Sequence, residues 1–421
     1  MIDESNVQIS KTKRLWLIFV PFLVAVFGLS AVVVLYAMGL WSDGTGYAAL
    51  TAEGDSNLPG YAGGYSATLY FEGNAMSTGQ QKKAANNAYS EALHEAYLLT
   101  EDTTKREYAS SLADLNAGLG ENVKLSAEAY ALLQQAVGYH KSKPNFSLYA
   151  APLYAEWERI AVVRANLIDK SADPDPAKDA AEKEYLDELS AILNDENSVK
   201  VELLGENTAK LTISEQYAAF RRDNDISAPI ISLNHLRPAF ILEAVAKRLE
   251  ADGWHDGYLS HTLGLGISLS GSKGIAHSLY GLTGTTEEVA GAIALTGGWK
   301  YAKFNRLPLN RTSYDGFYAI QVGEGYLFRS PYLNVGNGDA PDYLLSTWSL
   351  SSSQSLIDLC LHAEAGCLIQ DEAGLASWKG QAGDAQLMVY RKDKADTFYL
   401  SSYLRDRVTM SEAKHYQTET L

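Results

Sequence analysis

Phe146-Ser-Leu-Tyr-Ala-Ala-Pro-Leu-Tyr-Ala-Glu-Trp157 is the stretch of this sequence that decides the fold, and we interpret its Trp157 as a core anchor. On its N-terminal side, apolar residues that share one helical face predict a helix over Ser126–Val137, with Ser126 as the N-cap. On its C-terminal side, Val199–Leu204 and Ala209–Ile213 surround a short turn and predict a β-hairpin. Helices and antiparallel strands therefore flank the stretch, which indicates an α+β fold.

The same two patterns recur along the rest of the chain. We predict further helices over Gln80–Leu99, in the acidic segment after Pro176, over Arg237–Ala251, from the capping box Thr285-x-x-Glu288 to Leu295, and over Ser353–Ala365. We predict further strands over Tyr65–Phe71, within Tyr258–Gly274, and near Phe317–Phe328, Leu344–Leu350, Gln386–Arg391 and Thr397–Tyr403.

An uncharged apolar run, Leu15–Trp41, precedes all of these elements. It is longer than the roughly 20 residues that cross a bilayer, and longer than the apolar part of a cleaved signal peptide. Lys11, Lys13 and Arg14 stand before it, and cationic flanks stay in the cytoplasm. We therefore expect a single-pass protein of the bacterial inner membrane, with a cytoplasmic N-terminus and its bulk in the periplasm.

No cysteine stands directly after the apolar run, so a lipoprotein anchor is not expected. The two cysteines, Cys360 and Cys367, lie far downstream; a bridge between them and two free buried thiols both remain open, and free thiols are the simpler interpretation. The predicted organisation is a cytoplasmic tail over 1–14, the transmembrane helix over 15–41, a flexible tether over 42–62, an extracytoplasmic domain over 63–410, and a C-terminal tail over 411–421.

The charge of the chain restricts its partners. Its 421 residues carry a formal net charge of −16. Nucleic acid is itself negative, so we expect no nucleic-acid partner. The expected partners are the membrane, through the N-terminal helix, and a protein in a membrane complex.

Several segments, taken in order, resemble the ApbE family, the FAD:protein FMN transferases. Ser110–Asn116 is similar to the family's S-E-L-S-R-L-N, and Phe146–Trp157 resembles F-D-P-T-V-G-P-L-x-x-L-W. Ser232–Glu243 falls where the family has D-L-G-G-I-A-K-G-Y-A-V-D, and Leu356–His362 looks like the A-D-A-L-A-T helix. Ser330-Pro331 corresponds to a D-P pair. The resemblance implies an ApbE-like fold, with mixed, largely antiparallel sheets and packed helices, behind the transmembrane helix.

The family moves FMN from FAD onto a serine or threonine of a target flavoprotein and uses magnesium, so the resemblance also implies where a site would lie. The implied cofactor-binding positions hold Ser147, Tyr149, Asn234 and His235, which differ from the family's residues. The family's lysine is replaced by Pro238, which has no backbone N–H. The aspartate that opens the family's D-L-G-G-I-A-K-G loop is replaced by Ser232, and the acid of its G-G-D segment is replaced by Leu265.

The implied metal positions hold Asp358, which matches the family, and His362, which replaces a threonine. Magnesium prefers hard oxygen ligands, so an imidazole there works against it. A second hypothesis places His235, His261 and His362 near Asp358 as a zinc or copper site; the alternative is that these histidines are ordinary surface or core residues.

Two functions follow from the resemblance. The first is a catalytically degenerate pseudo-enzyme that binds no cofactor and serves as a binding or assembly subunit of a membrane complex, for which a redox complex is the example suggested by the family. The second is a divergent, working FMN transferase that uses FAD and magnesium to flavinylate exported redox proteins.

Overall fold

The computed structural model describes residues 45–421 except 53, 56–57, 59–60, 74, 168–174, 272, 284–285, 306–317, 323–324, 330–331, 342, 392, 395 and 413–414. The predicted transmembrane helix over 15–41 and the pair at 330–331 lie outside the described residues. Among the helices that the structure describes, none combines the length and the apolar character needed for a bilayer crossing.

Ten α-helices are seen in the described part of the chain: α1 Ala75–Leu99, α2 Leu112–Ala117, α3 Ala127–Ser142, α4 Ala151–Leu167, α5 Ala180–Asn194, α6 Glu215–Asp223, α7 Arg237–Ala251, α8 Leu356–Cys367, α9 Glu372–Gly380 and α10 Ser402–Arg405. Two short 3₁₀ helices cover Pro176–Lys178 and Asn234–Leu236. The cap predicted for α3 is present, since the Ser126 hydroxyl accepts a hydrogen bond from the Ala129 N–H. After α7, Gly253 adopts a positive φ of 90°, which a glycine allows without strain.

The strands of the described residues are β1 Gly46–Leu50, β2 Tyr65–Phe71, β3 Asn122–Lys124, β4 Val199–Gly205, β5 Thr208–Ile213, β6 Gly257–His261, β7 Leu265–Ser268, β8 Ile275–Thr283, β9 Thr286–Leu295, β10 Lys300–Asn305, β11 Tyr318–Val322, β12 Gly325–Arg329, β13 Leu344–Ser351, β14 Gln386–Arg391, β15 Thr397–Leu400, β16 Val408–Met410 and β17 Gln417–Thr420. Nine of them form one sheet in the order β1-β2-β6-β7-β10-β13-β14-β15-β17. All its neighbours are antiparallel except β15 and β17, which are parallel.

Two layers pack on the large sheet, one on each face. One face carries α1, α7 and α8, with α8 lying over β10 and β13. The other face carries the small sheet β16-β9-β8. Because successive strand residues point to opposite faces, Ala302 of β10 joins the helix-side core whereas its neighbour Tyr301 joins the core under the small sheet. All eight residues of β13 are buried, as expected for a strand covered on both faces.

Three predicted segments have a different structure. The segment over 42–62, predicted as a flexible tether, contains β1, which pairs with β2 along its whole length and buries Leu50. The predicted tail over 411–421 contains β17, which completes the far edge of the large sheet. Neither strand has an alternating apolar and polar pattern, so their backbone pairing leaves little trace in the sequence.

The helix predicted from Thr285 to Leu295 is wrong, because residues 286–295 form the strand β9. It pairs with β8 on one side and with β16 on the other. Ile293 and Leu295, two residues apart, are buried on the same face, which fits a strand. The hydrogen bonds of two neighbouring strands and this burial outweigh a local helix-start signal.

Candidate functional site

The candidate site is centred on residues 232–238, which lead into α7 through the short 3₁₀ helix. Asn234 adopts a left-handed conformation with φ of 50°. Asparagine tolerates this conformation better than most non-glycine residues. A glycine would adopt this conformation easily, but here the residue is Asn234, and its side chain contacts the protein.

The first half of this loop is held by polar groups of neighbouring segments. The Ser232 hydroxyl donates to the Asp102 carboxylate and accepts from the Asn234 N–H at 2.9 Å. The Asn234 side-chain amide donates to the Ser147 carbonyl at 3.2 Å. Burial raises the pKa of Asp102, while the Ser232 hydrogen bond opposes that rise. Ser147 and Asn234, both predicted as cofactor-binding positions, are thus together, and they bind each other.

His235 is largely enclosed by the protein. Its Nε2 lies 3.0 Å from Glu364 Oε1 on α8, and the two side chains are 14% and 2% exposed. The ring N–H is not aligned with the carboxylate as a hydrogen bond requires, so the contact is chiefly electrostatic. Tyr154 and Tyr332 pack edge-on against the ring, with centroids 4.5 and 4.6 Å away. Burial, and then the charge of Glu364, holds the pKa of Tyr154 well above its usual range.

Arg237 begins α7 and turns into the protein rather than toward a ligand. Its guanidinium lies 4.2 Å from the centre of the Tyr97 ring and 3.4 Å from Glu101 Oε2. It also donates to the Thr100 hydroxyl at 3.2 Å. Burial pushes the pKa of Glu101 upward, but hydrogen bonds from Thr103 and the charge of Arg237 outweigh it and hold that pKa below its usual range. Pro238 follows and is buried within α7.

Tyr149, the fourth predicted cofactor-binding position, is buried and serves the small sheet β3-β5-β4. Its hydroxyl accepts a hydrogen bond from the Val201 N–H of β4 at 3.1 Å. Its ring packs against His140 with a centroid distance of 4.7 Å. Burial raises the pKa of Tyr149. The side chain therefore satisfies an edge-strand donor that would otherwise be unpaired.

Asp358 and His362 lie one turn apart on α8 and line a cavity of about 470 Å³ beside Lys143. Asp358 is half-exposed; one oxygen lies 3.3 Å from Lys143 Nζ and the other accepts from the Ser355 hydroxyl at 2.7 Å. The remaining lining residues are Ser142, Pro144, Asn145, Gln354, Leu361, Ala365, Gln381, Ala382 and Gly383.

His362 has both ring nitrogens occupied. Nε2 donates to the Trp378 carbonyl at 3.1 Å, which fixes the proton on that nitrogen, and Nδ1 then accepts from the Ser349 hydroxyl at 2.8 Å. The ring stacks on Trp378 with a centroid distance of 4.7 Å. Burial lowers the pKa of His362. The histidine is therefore a neutral link between α8, α9 and β13.

The three histidines proposed as a transition-metal site do not meet. His261 packs on Tyr65 at the end of β6, whereas His235 faces Glu364 and His362 faces Trp378. Within the described residues, no three histidine, cysteine, aspartate or glutamate side chains are placed to hold a metal ion. Cys360 and Cys367 are free and buried, which decides the open question about a bridge.

The residues present do not fit a magnesium-bound dinucleotide. Asp358 is the one carboxylate among the described residues lining the cavity, and it already faces Lys143. Magnesium requires near-octahedral oxygen ligands, and an imidazole with both nitrogens engaged supplies none. The Arg237 cation of the 232–238 loop is paired with the Glu101 carboxylate, and the His235 ring faces Glu364, so in the described structure neither side chain is directed at a ligand phosphate.

Sequence reasoning identified Ser147, Asn234, His235 and Asp358 as positions of one region, but it missed the three acids that hold the 232–238 loop through Ser232, Arg237 and His235. Asp102, Glu101 and Glu364 stand far along the chain from their partners, by 130, 136 and 129 residues (364 minus 235). The doublet Glu101-Asp102 at a helix end was the one available signal, and a single sequence does not show which cations it meets.

No protein-family model and no curated protein matches this sequence. Solved structures match by fold. The ApbE protein from Thermotoga maritima is 14% identical with a TM-score of 0.57, covering 86% of this chain and 99% of that one. The flavin transferase ApbE from Vibrio cholerae is 14% identical with a TM-score of 0.53, and the match covers 86% of this chain and 99% of that one. The apo flavinyl transferase ApbE from Pseudomonas stutzeri is 14% identical with a TM-score of 0.52, and the match covers 89% of this chain and 96% of that one. The likeness confirms the predicted ApbE-like α+β fold, and at this identity it shows the fold alone.

Proposed function

We propose that this chain is a catalytically degenerate member of the ApbE-like fold, anchored in the bacterial inner membrane by residues 15–41, that serves as a binding or assembly subunit of a membrane complex. One observation carries the proposal: the side chains at the positions that would meet a flavin nucleotide are bound to the protein itself. His235 meets Glu364, Arg237 meets Glu101, and Asn234 meets Ser147.

The electrostatics of the loop support this proposal. A bound pyrophosphate is stabilised by cations and backbone N–H donors that point at it. Here the Arg237 cation is paired with Glu101, the Asn234 N–H is bound to Ser232, and position 238 is a proline without an N–H. Opening the loop for a ligand would remove the His235 imidazole that faces the buried Glu364 carboxylate, and removing a neighbour of a buried carboxylate is costly.

The membrane location is proposed from the apolar run and its cationic N-terminal flank. The partner is proposed to be a protein in the same membrane system, because an anchor raises the local concentration of the domain near other membrane proteins. A redox complex is the natural first candidate, since the solved structures of this fold are named as flavin transferases.

Flavin binding tests the degenerate site. The full chain, purified in detergent, is dialysed against FAD and Mg²⁺ and its flavin content is measured, with the flavin transferase ApbE from Vibrio cholerae treated in parallel. We expect no stoichiometric flavin on this chain. Stoichiometric FAD would overturn the proposal.

A working, divergent FMN transferase is the second candidate, and the open cavity beside Asp358 favours it. That cavity, about 470 Å³, has the volume of a small-molecule site. Incubation with FAD, Mg²⁺ and a target flavoprotein, followed by in-gel fluorescence, decides between the two. FMN transfer that is lost in Asp358→Asn and kept in the exposed control Asp223→Asn would establish a working transferase. Absence of a fluorescent product would support the catalytically degenerate domain instead.

A further inference from the structure

The first described residue of the chain is already fixed to the folded domain. The Thr45 hydroxyl donates to the Gly73 carbonyl at 3.1 Å and accepts from the Gly73 N–H at 3.0 Å. β1 begins at the next residue and pairs with the end of β2, Gly46 opposite Phe71. The folded domain therefore includes Thr45 and does not begin after residue 62.

This position shortens the connection to the proposed membrane helix. From Trp41, where the apolar run ends, to Thr45 there are four residue steps, which span at most about 14 Å when fully extended. A free tether over 42–62 would span about 75 Å. The corner of the domain that holds Thr45 is thus confined close to the membrane surface.

The fold then determines which features share that corner. Glu72 and Gly73 follow β2, and β6 begins next to them, since Leu69 pairs with Gly257. Lys273 lies there too, with its Nζ 4.0 Å from the centre of the Tyr70 ring. The C-terminal end of α7 reaches the same corner, because only residues 252–256 connect it to β6.

The loop 232–238 lies at the opposite end. It precedes α7, whose 15 residues extend about 22 Å. The strand β6 runs in the same way from the corner to the opposite end. It begins at Gly257, and its five residues extend about 17 Å to His261, which pairs with Tyr65. The net charge of −16 opposes a posture in which the domain lies flat on anionic lipid.

We propose that the corner formed by Thr45, Glu72 and Lys273 faces the bilayer, and that the loop 232–238 faces away from it. A partner that meets this loop must then carry a water-soluble domain that rises above the membrane surface. A small protein buried within the bilayer does not reach the loop. This inference rests on the membrane anchor of the proposed function and goes beyond it by assigning the two ends of the domain.

The test places a fluorophore at each end of the full chain in lipid vesicles. Glu72→Cys marks the corner and Thr262→Cys, an exposed position on the β6–β7 turn, marks the far end. The native thiols are buried, so the unsubstituted chain serves as the labelling control. Vesicles of phosphatidylcholine carry a nitroxide on the headgroup as the quencher, and matched vesicles lack it.

We expect strong quenching at Glu72→Cys and none at Thr262→Cys. Equal quenching at both positions, or quenching at Thr262→Cys alone, would overturn the assignment of ends. A flexible insert of about 20 residues before Thr45 is expected to abolish the quenching at Glu72→Cys, because it releases the corner; quenching that survives the insert also overturns the inference. Flotation of the vesicles tests the premise separately: a chain that does not float disproves the anchor itself.

Discussion

His235 Nε2 and Glu364 Oε1 lie 3.0 Å apart and join the 232–238 loop to α8 in the interior of the domain. The two residues stand on segments that meet only in the folded state. Their contact places a carboxylate and an imidazole, both largely buried, between the loop and the helix.

We expect His235→Ala to lower the free energy of unfolding by about 3 kcal/mol, because it removes the imidazole that faces the buried Glu364 carboxylate and leaves it the 3.4 Å hydrogen bond from the Tyr154 hydroxyl. Urea unfolding of the full chain in detergent measures the loss. Adding Glu364→Gln should then recover part of it, since the buried charge is gone. A second substitution that gives no recovery would show that the two side chains are not energetically coupled.

We expect Arg237→Lys to cost about 1–2 kcal/mol, although the charge is kept. Lysine cannot keep the planar contact with the Tyr97 ring together with the hydrogen bond to Thr100 and the contact with Glu101. The same unfolding measurement applies, with the exposed Arg222→Lys as the matched control. Equal stability of the two variants would refute the role assigned to Arg237.

Two partly buried histidines predict a loss of stability in acid. Burial lowers the pKa of His261 and of His277 to about 4 from the ordinary value of 6.5, and Lys303 adds to the effect at His277. A depressed histidine pKa means that the neutral ring is favoured in the folded state. The stability is therefore fully present above pH 6.5 and is lost as the pH falls toward 4, by up to about 3 kcal/mol for each histidine.

The pH dependence of unfolding between pH 7 and pH 4 checks this expectation. The double variant His261→Phe/His277→Phe should show a shallower fall than the parent chain. His415→Phe, at an exposed position, should leave the slope unchanged. A double variant that falls as steeply as the parent would assign the acid sensitivity to other groups.

We expect no stoichiometric zinc or copper in the dialysed chain, because His362 uses both ring nitrogens within the protein and the other two histidines lie elsewhere. Elemental analysis of the full chain measures the content. Bound metal at one equivalent that disappears in His362→Ala would contradict this expectation.

We expect Leu50→Ala to cost about 2–3 kcal/mol, because Leu50 is buried where β1 joins the large sheet. Ala49→Ser, on the exposed face of the same strand, should be nearly neutral. A flexible tether would make both substitutions neutral, so thermal unfolding of the two variants separates a strand from a tether.

Elements with strong periodicity were predictable from the sequence. The bounds of α7, β2 and β14 agree with the predictions, because each element has apolar residues at its own period and a clear end. The strand β9 was not predictable from the sequence, because its structure depends on pairing with the strands β8 and β16. β1 and β17 were missed because edge strands need few apolar residues.

The candidate site was predictable as a set of positions but not as a set of contacts. The order of segments located Ser147, Asn234 and Asp358. Whether a substituted position is empty or filled depends on side chains more than a hundred residues away, such as Glu364 for His235. A single sequence contains the two residues and not the distance between them.

The place of β2 in the large sheet has a consequence for how the chain acquires its structure. Ser66 and Ser260 meet across β2 and β6 at 2.6 Å between their hydroxyl oxygens, although 194 residues separate them. During synthesis, the hairpin of β1 and β2 therefore has one side unpaired until β6 has been made. Such long-range pairing is slow, and an open strand edge invites association with other chains. We expect the early hairpin to need protection by a chaperone while the middle of the protein is still being made.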